Sequence, residues 1–165
     1  MMTICPEPPM QIVTLDPTLP AVRSLIALSD AYMEMLYPAE SNHLESVAAL
    51  QLPNVHFVGV YVSATLAACG AVKIIDNDLR HGVRYGELKR MFVLESHRGM
   101  GLSKAILAHL ETHLLSCNVA VARLETGILQ PEALGLYRRS GYLECAPFGS
   151  YQADPLSVFM EKQLG

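Results

Sequence analysis

Charged residues are scarce in this sequence, and positive charge does not dominate. They make up 17% of the 165 residues, against roughly 25% in an ordinary globular domain. Twelve lysines and arginines face sixteen aspartates and glutamates, so the formal net charge is −4. Nucleic acids and anionic membranes bind to clustered positive charge, and this balance argues against both as partners. Hydrophobic residues are 51% of the chain, which excludes extensive disorder and suits one domain with a sizeable core.

Cysteine is also rare, and no pair has the close spacing of a metal-binding or redox motif. The four cysteines, Cys5, Cys69, Cys117 and Cys145, lie far apart. We therefore expect neither a disulfide framework nor a zinc site, and reduced thiols in the cytoplasm fit better. The first ten residues lack a basic stretch and an apolar run, so no signal peptide is expected.

One long segment, residues 46–72, contains no charged residue at all. Polar residues and Pro53 interrupt it, and the remaining run, 57–72, is shorter than the ~20 residues that a membrane helix needs. We therefore expect no membrane span. Residues 1–10 hold three of the ten prolines and are predicted to form a loose arm, followed by one domain over residues 11–165.

The pattern of apolar residues predicts a mixed α/β domain. The predicted strands are 11–16, 55–62, 66–75, 85–94, 119–126, 142–146 and 157–162. Helices are predicted to begin at Pro20, after an N-cap at Ser41, near Gly101 and at Pro131. A polar loop is expected over 76–82. The order is therefore β-α-α-β-β-β-α-β-α-β-β, with no internal repeat.

The clearest local signal is the junction Arg98-Gly99-Met100-Gly101-Leu102-Ser103-Lys104, which follows a predicted strand and opens an amphipathic helix. The first amides of a helix have no internal partner and lie at the positive end of its dipole, so they attract anions. Glycines let a diphosphate approach the backbone, and Arg98 and Lys104 add charge at each end. A plain tight turn is the alternative. A Rossmann-type site fits less well, because Lys104 stands where a third glycine belongs.

Two motifs resemble those of the GCN5-related N-acetyltransferase (GNAT) family. Arg98-x-x-Gly101-x-Ser103 is similar to its Q/R-x-x-G-x-G/A signature, with serine in the last position. Gln130-x-x-Ala133-x-x-Leu136-Tyr137-x-x-x-Gly141-Tyr142 is similar to its second signature, N-x-x-A-x-x-L-Y-x-x-x-G-F. The resemblance implies an acyltransferase with a single-domain α/β fold. Its sheet is expected to be twisted and mostly antiparallel, with about seven strands, of which strands 4 and 5 splay apart, and about four flanking helices.

By this resemblance acetyl-CoA is the acyl donor. The backbone from Gly99 to Lys104 would hold its pyrophosphate, beside the Arg98 guanidinium. The backbone of Met91, Phe92 and Val93 would pair with the pantetheine arm like an added strand, which requires the next strand to diverge. The predicted donor-binding residues are therefore Met91, Phe92, Val93, Arg98, Gly99, Met100, Gly101, Leu102, Ser103, Lys104 and Gln130.

The chemistry requires a base and an acid. A protonated alkyl amine, with a pKa of about 10.4, is not a nucleophile until a group removes its proton. Glu87 lies where several members of the family carry a catalytic glutamate, although it could instead pair with Lys89 on the same strand face. Glu125, on the adjacent strand, is the rival base. Tyr137 matches the family tyrosine that protonates the departing thiolate.

The resemblance leaves the acceptor open, and we expect the primary amine of a small molecule. Candidates for its site are Tyr37, Glu40, His43, Lys89, Arg90 and the loop 148–157. Lys89 or Arg90 could hold a substrate carboxylate, which would suggest an amino-acid-like acceptor. A lysine of a protein or peptide is an alternative acceptor, and a non-catalytic acyl-CoA-binding module is an alternative function. Many relatives dimerise, so a homodimer stays open.

Two further groups are given no catalytic role. His109 and His113 have the spacing of metal ligands, but Glu111 points to another face of the predicted helix, so a solvated face and no metal are expected. Cys145 is interpreted as a small buried residue rather than as a nucleophile, since no histidine or basic residue flanks it.

Overall fold

The computed structural model describes residues 8–78 and 82–165. The strands are β1 (Met10–Thr14), β2 (Val55–Val62), β3 (Thr65–Ile75), β4 (Tyr85–Val93), β5 (Val121–Gly127), β6 (Leu143–Glu144) and β7 (Ser157–Gln163). The α-helices are α1 (Pro20–Leu36), α2 (Val47–Leu50), α3 (Leu102–Ser116) and α4 (Pro131–Arg139). Single 3-10 turns lie at Ala39–Ser41 and Glu95–His97. Most of the predicted arm, residues 1–7, and residues 79–81 of the predicted loop lie outside the described residues.

One seven-stranded sheet has the order β1-β2-β3-β4-β5-β7-β6. All neighbouring strands are antiparallel except β4 and β5, which run parallel. These two strands pair only over three residues each, from Gly86↔Ala122 to Leu88↔Leu124, and do not pair with each other beyond that point. The predicted fold, including the splayed pair, is confirmed.

Helices cover both faces of the sheet. The side chains of β3 alternate between the two faces, so they contribute to a separate hydrophobic core on each one. Ala68 and Val72 belong to the core formed with α3 and α4, whereas Cys69 and Ala71 belong to the core formed with α1 and α2. This arrangement leaves the divergence between β4 and β5 as the place where a ligand can enter the sheet.

The predicted second helix is wrong in its start and length. Ser41 does not cap a helix but ends a 3-10 turn, and its Oγ donates to Asp154 Oδ2 at 2.6 Å. The helix is the single turn α2, for which Ser46 is the cap: its Oγ accepts from the Ala49 amide at 3.1 Å. A contact 113 residues away thus replaces the local cap that the sequence suggested. The boundaries of the predicted strands are correct to within two residues.

The contact between β4 and α3 leaves no room for a side chain at Gly86. A Cβ built there lies 2.3 Å from Cδ2 of Leu114. We expect Gly86→Ala to lower the free energy of unfolding by about 1–3 kcal/mol, the usual effect of overpacking. Urea denaturation measures this loss. Pairing the change with Leu114→Ala should cost less than the sum of the two single changes, and strict additivity would contradict the contact.

Candidate active site

A cavity of about 680 Å³ opens where β4 and β5 separate. We define the donor side of this cavity as the part lined by the end of β4, the turn before α3, and α4. We define its acceptor side as the part lined by α1, the segment that follows α1, Lys89, Arg90 and the start of the divergent part of β5. The acceptor side also receives Tyr151 and Leu156 from the loop that precedes β7.

The turn before α3 gives the donor side an open set of backbone amides. Gly101 is the N-cap with φ +77°, Gly99 has φ +82°, and no side chain caps the helix. Positive φ favours glycine, so the sequence fixes this turn locally. A Cβ at either glycine would meet no atom within 4 Å, so the space in front of the turn is free. The first amides of α3 therefore face a site that an anionic group can enter.

The predicted donor residues are brought together, with one exception. Met91, Phe92, Val93, Arg98, Gly99, Gly101, Leu102, Ser103, Lys104 and Gln130 all line the cavity. Met100 does not, and its side chain is exposed. The Arg98 guanidinium lies 5.1 Å from the ring centre of Tyr32 of α1, a residue that sequence reasoning missed. The residues present thus fit a diphosphate ligand with an extended arm along β4.

Tyr137 of α4 lines the same cavity. Its ring packs edge-on against Tyr142, with centroids 5.8 Å apart. Burial, followed by the nearby Glu125 carboxylate, raises the pKa of Tyr137 well above its ordinary 10.0. The hydroxyl therefore stays protonated at neutral pH and is able to donate a hydrogen bond to an anion formed beside it.

Glu87 is placed differently from what the family resemblance implied. It is only 7% exposed and is not among the residues that line the cavity. Its Oε1 accepts from the Tyr151 hydroxyl at 2.5 Å and lies 3.2 Å from the Lys89 ammonium. The structure therefore contains the Glu87–Lys89 pair that the sequence left open. Because the Glu87 carboxylate is engaged by Lys89 and Tyr151, it is less available to accept a proton from a substrate.

Glu125 of β5, the rival base, does line the cavity. Burial is the largest influence on it and raises its pKa above the ordinary 4.5, against the lowering effects of a hydrogen bond with Ser157 and of the nearby His43 and Lys89. Within residues 8–78 and 82–165, no lysine or arginine forms a salt bridge with Glu125. Since Glu125 also acts on Tyr137, the candidate base and the candidate acid are neighbours.

Most of the predicted acceptor residues lie on the acceptor side. Tyr37, His43, Lys89, Arg90 and the loop residues Tyr151 and Leu156 line the cavity, whereas Glu40 does not. The Tyr37 hydroxyl also accepts from the Leu129 amide at 3.1 Å and donates to Gln130 Oε1 at 3.3 Å. Tyr37 thereby holds the N-cap residue of α4, and with it the helix that carries Tyr137.

Residues 22–142 match the Acetyltransferase (GNAT) family. The chain belongs to this family. It is 40% identical over 162 residues to the IAA acetyltransferase of Azospirillum brasilense, covering 98% of this chain and 97% of that protein. It is 34% identical to a Klebsiella pneumoniae protein assigned as an acyl-CoA N-acyltransferase, whose structure matches with a TM-score of 0.77 over 94% of this chain and 98% of the other.

A more distant GNAT structure was solved in complex with coenzyme A. It is the PaiA N-acetyltransferase of Thermoplasma acidophilum, which is 16% identical, with a TM-score of 0.69 over 94% of this chain and 99% of the other, and shares the fold. The family membership confirms the predicted enzyme class: the protein is an N-acetyltransferase that uses an acyl-CoA co-substrate.

The histidines set aside in the sequence are not simply solvated. His113 stacks on His56 of β2 with ring centroids 4.0 Å apart, and the Nε2 atoms of His56 and His109 lie 3.3 Å apart. Burial, with His113 and His109, lowers the pKa of His56 to about 4, so this imidazole stays neutral at pH 7. Over the described ranges, no group of three or more His, Cys, Asp or Glu side chains is arranged to hold a metal ion.

Among the helices of the described residues, none has the length and apolarity to cross a bilayer.

Proposed function

We propose that this GNAT enzyme transfers the acetyl group of acetyl-CoA to the primary amine of a small molecule, directly and within a ternary complex. The observation that carries the proposal is that the turn before α3, Tyr137 and Glu125 line one cavity. The name of the Azospirillum relative, an acetyltransferase of IAA, supports a small-molecule acceptor.

Direct transfer is supported by the positions of the cysteines. None of the three described cysteines lines the cavity. Burial raises the pKa of Cys145 to about 11 and that of Cys69 to about 12, so both stay as thiols at neutral pH. The described residues therefore offer no thiolate at the cavity on which the acetyl group would rest between donor and acceptor.

The proposed proton transfers use Glu125 and Tyr137. The ammonium of the acceptor loses its proton to Glu125, directly or through water, because only the free amine has a lone pair for the carbonyl carbon. The new N–C bond forms at the carbonyl carbon, and the C–S bond breaks as the departing thiolate takes the proton of Tyr137. The acceptor nitrogen then loses its second proton, which restores the Tyr137 hydroxyl through water, and Glu125 releases the first proton to solvent. Glu87, which is bonded to Tyr151 and Lys89, keeps its place beside the site without touching the acceptor.

The experiment is thiol release from acetyl-CoA over a panel of amines, amino acids and lysine peptides, with Tyr137→Phe as the first variant. Phenylalanine keeps the packing against Tyr142 and removes the donor hydroxyl. We expect kcat to fall by about 10²–10⁴-fold, the usual contribution of a positioned acid, with little change in the Kd for CoA measured by calorimetry. Unchanged turnover on every accepted amine would remove Tyr137 from the mechanism. Turnover confined to lysine peptides would favour a protein acceptor.

A further inference from the structure

We infer, building on the proposed function, that the acceptor is a monoamine with an apolar body and no carboxylate beside its amine. The acceptor side presents one acidic group, Glu125, to the cavity, together with two basic groups, Lys89 and Arg90, and the imidazole of His43. A substrate can pair only with those charged groups that have no protein partner. The contacts of these groups therefore determine which charged groups the substrate can have.

Arg90 is not available to bind a substrate. Its guanidinium pairs with Asp30 of α1 and donates twice to the backbone carbonyl of Glu45, with the Nε contact at 2.9 Å. Its side chain is 3% exposed. A substrate carboxylate would have to compete with Asp30 and the Glu45 carbonyl for a buried guanidinium, and disrupting a buried ion pair is unfavourable.

Lys89 is equally committed. Its ammonium lies 3.2 Å from Glu87 and 3.5 Å from Glu45, and it donates to the Tyr151 hydroxyl at 2.7 Å. It also donates to the backbone carbonyl of His43 at 3.4 Å, so four protein oxygen atoms already surround its three N–H groups. The suggestion from the sequence that Lys89 or Arg90 receives a substrate carboxylate is therefore not supported by their contacts.

The charges around Lys89 leave a negative excess on the acceptor side. Glu45 and Glu87 are balanced by Lys89 and by Lys73, which lies 3.8 Å from Glu45. Of Glu45, Glu87 and Glu125, only Glu125 has no salt bridge with a described lysine or arginine. A substrate ammonium supplies the missing positive charge, whereas a substrate carboxylate would meet Glu125 as a like charge in a poorly solvated site.

Most of the remaining acceptor side is apolar or aromatic, although Ser29, Ser41 and Thr126 also line it. The apolar and aromatic lining residues are Tyr32, Met33, Tyr37, Leu44, Tyr151 and Leu156. A second ammonium, as in a diamine, would find no second acidic residue among the described lining residues of this side. An arylalkyl or alkyl monoamine matches both the single carboxylate and this apolar and aromatic lining.

The test compares amines with the amino acids that differ from them only by the carboxylate. The pairs are 2-phenylethylamine with phenylalanine and tryptamine with tryptophan, assayed side by side at the same pH. We expect kcat/KM to favour each amine by about 100-fold, since a like-charge contact in an interface costs several kcal/mol. Putrescine should be a poorer acceptor than 2-phenylethylamine. Equal or better use of either amino acid, or a preference for putrescine, would overturn the inference.

A variant that adds an unpaired cation gives the reciprocal test. Met33 lines the acceptor side, whereas Met35, two residues along α1, is 79% exposed and does not line the cavity. We expect Met33→Arg to raise the kcat/KM ratio of phenylalanine to 2-phenylethylamine about 10-fold or more, and the control Met35→Arg to leave it unchanged. A ratio that moves equally in both variants, or in neither, counts against the inference.

Failure of this inference differs in kind from failure of the proposed function. If amino acids or lysine peptides are acetylated well, the acetyl transfer stands and only the acceptor class is wrong. If no amine of any class releases thiol and CoA fails to bind in calorimetry, the proposed function itself fails. Calorimetric titration of the enzyme–CoA complex with each amine and amino acid supplies a binding readout, and binding of phenylalanine in preference to 2-phenylethylamine overturns the inference without reference to turnover.

Discussion

Exchange of Glu125 for glutamine is expected to lower kcat by about 10²–10⁴-fold, the range that a positioned general base contributes. Glutamine keeps the size of the side chain and can keep the hydrogen bond with Ser157, but it cannot take the proton of the acceptor ammonium. The donor side does not involve this residue, so the Kd for CoA should stay close to that of the wild type. Steady-state kinetics with the best amine of the panel, together with calorimetry, measure the two effects.

Glu87→Gln is the matched control for that experiment. Glu87 is buried, bonded to Tyr151 and Lys89, and absent from the cavity wall. Its exchange leaves Lys89 with one fewer counter-charge, so we expect a loss of stability of about 1–3 kcal/mol and a smaller loss of kcat than for Glu125→Gln. If the folded Glu87→Gln enzyme loses kcat by the larger factor, the assignment of the base to Glu125 is wrong.

The pH dependence of kcat/KM, which reports the ionisable groups of the free enzyme, separates the two carboxylates further. Burial raises the pKa of Glu125 above 4.5, so its carboxyl group remains protonated, and inactive as a base, at a pH where an ordinary glutamate is already ionised. The value of kcat/KM should therefore rise with pH through this raised pKa, and the acid limb should lie above pH 4.5. The limb should be lost in Glu125→Gln and kept in Glu87→Gln. If the acid limb of the pH profile survives in Glu125→Gln, a group other than Glu125 causes it, and the assignment of Glu125 as the base is wrong.

The donor side of the site was predictable because its determinants are contiguous in the chain. Gly99 and Gly101 adopt positive φ, the helix after them shows its apolar spacing, and both features lie in one continuous stretch, residues 99–114. Met100 lies between the two glycines, but it is exposed and does not line the cavity. A role carried by backbone amides does not require every side chain of the turn to face the ligand.

The acceptor side could not be predicted to the same degree because long-range contacts define it. Tyr151 reaches Glu87 across 64 residues, and Ser41 reaches Asp154 across 113. The first contact engages Glu87, the predicted base, and the second engages Ser41, the predicted cap of the second helix. Neither leaves a local pattern in the sequence. A local signal did exist for one other contact. Glu87 and Lys89 are two residues apart on one strand and so share a face, which correctly suggested that they pair.

Gly101→Ala is expected to weaken CoA binding at least about tenfold. At φ +77° an alanine costs about 1–2 kcal/mol, and the turn relieves this strain by rotating the amides that the donor phosphates require. No atom lies within 4 Å of the new methyl group, so packing in the free protein is undisturbed and the effect belongs to the backbone. Calorimetry with CoA gives the Kd, and thermal unfolding of the free protein gives the change in stability.

Gly82→Ala separates strain from binding. Gly82 also has positive φ, +59°, and open space around its Cβ, but it lies in the loop before β4 and does not line the cavity. The two variants should therefore lose similar stability, because each places a Cβ in the left-handed region. Only Gly101→Ala should lose affinity for CoA. Equal affinities in the two variants would mean that the amides before α3 do not hold the donor, and the cavity would then need another group to bind its phosphates.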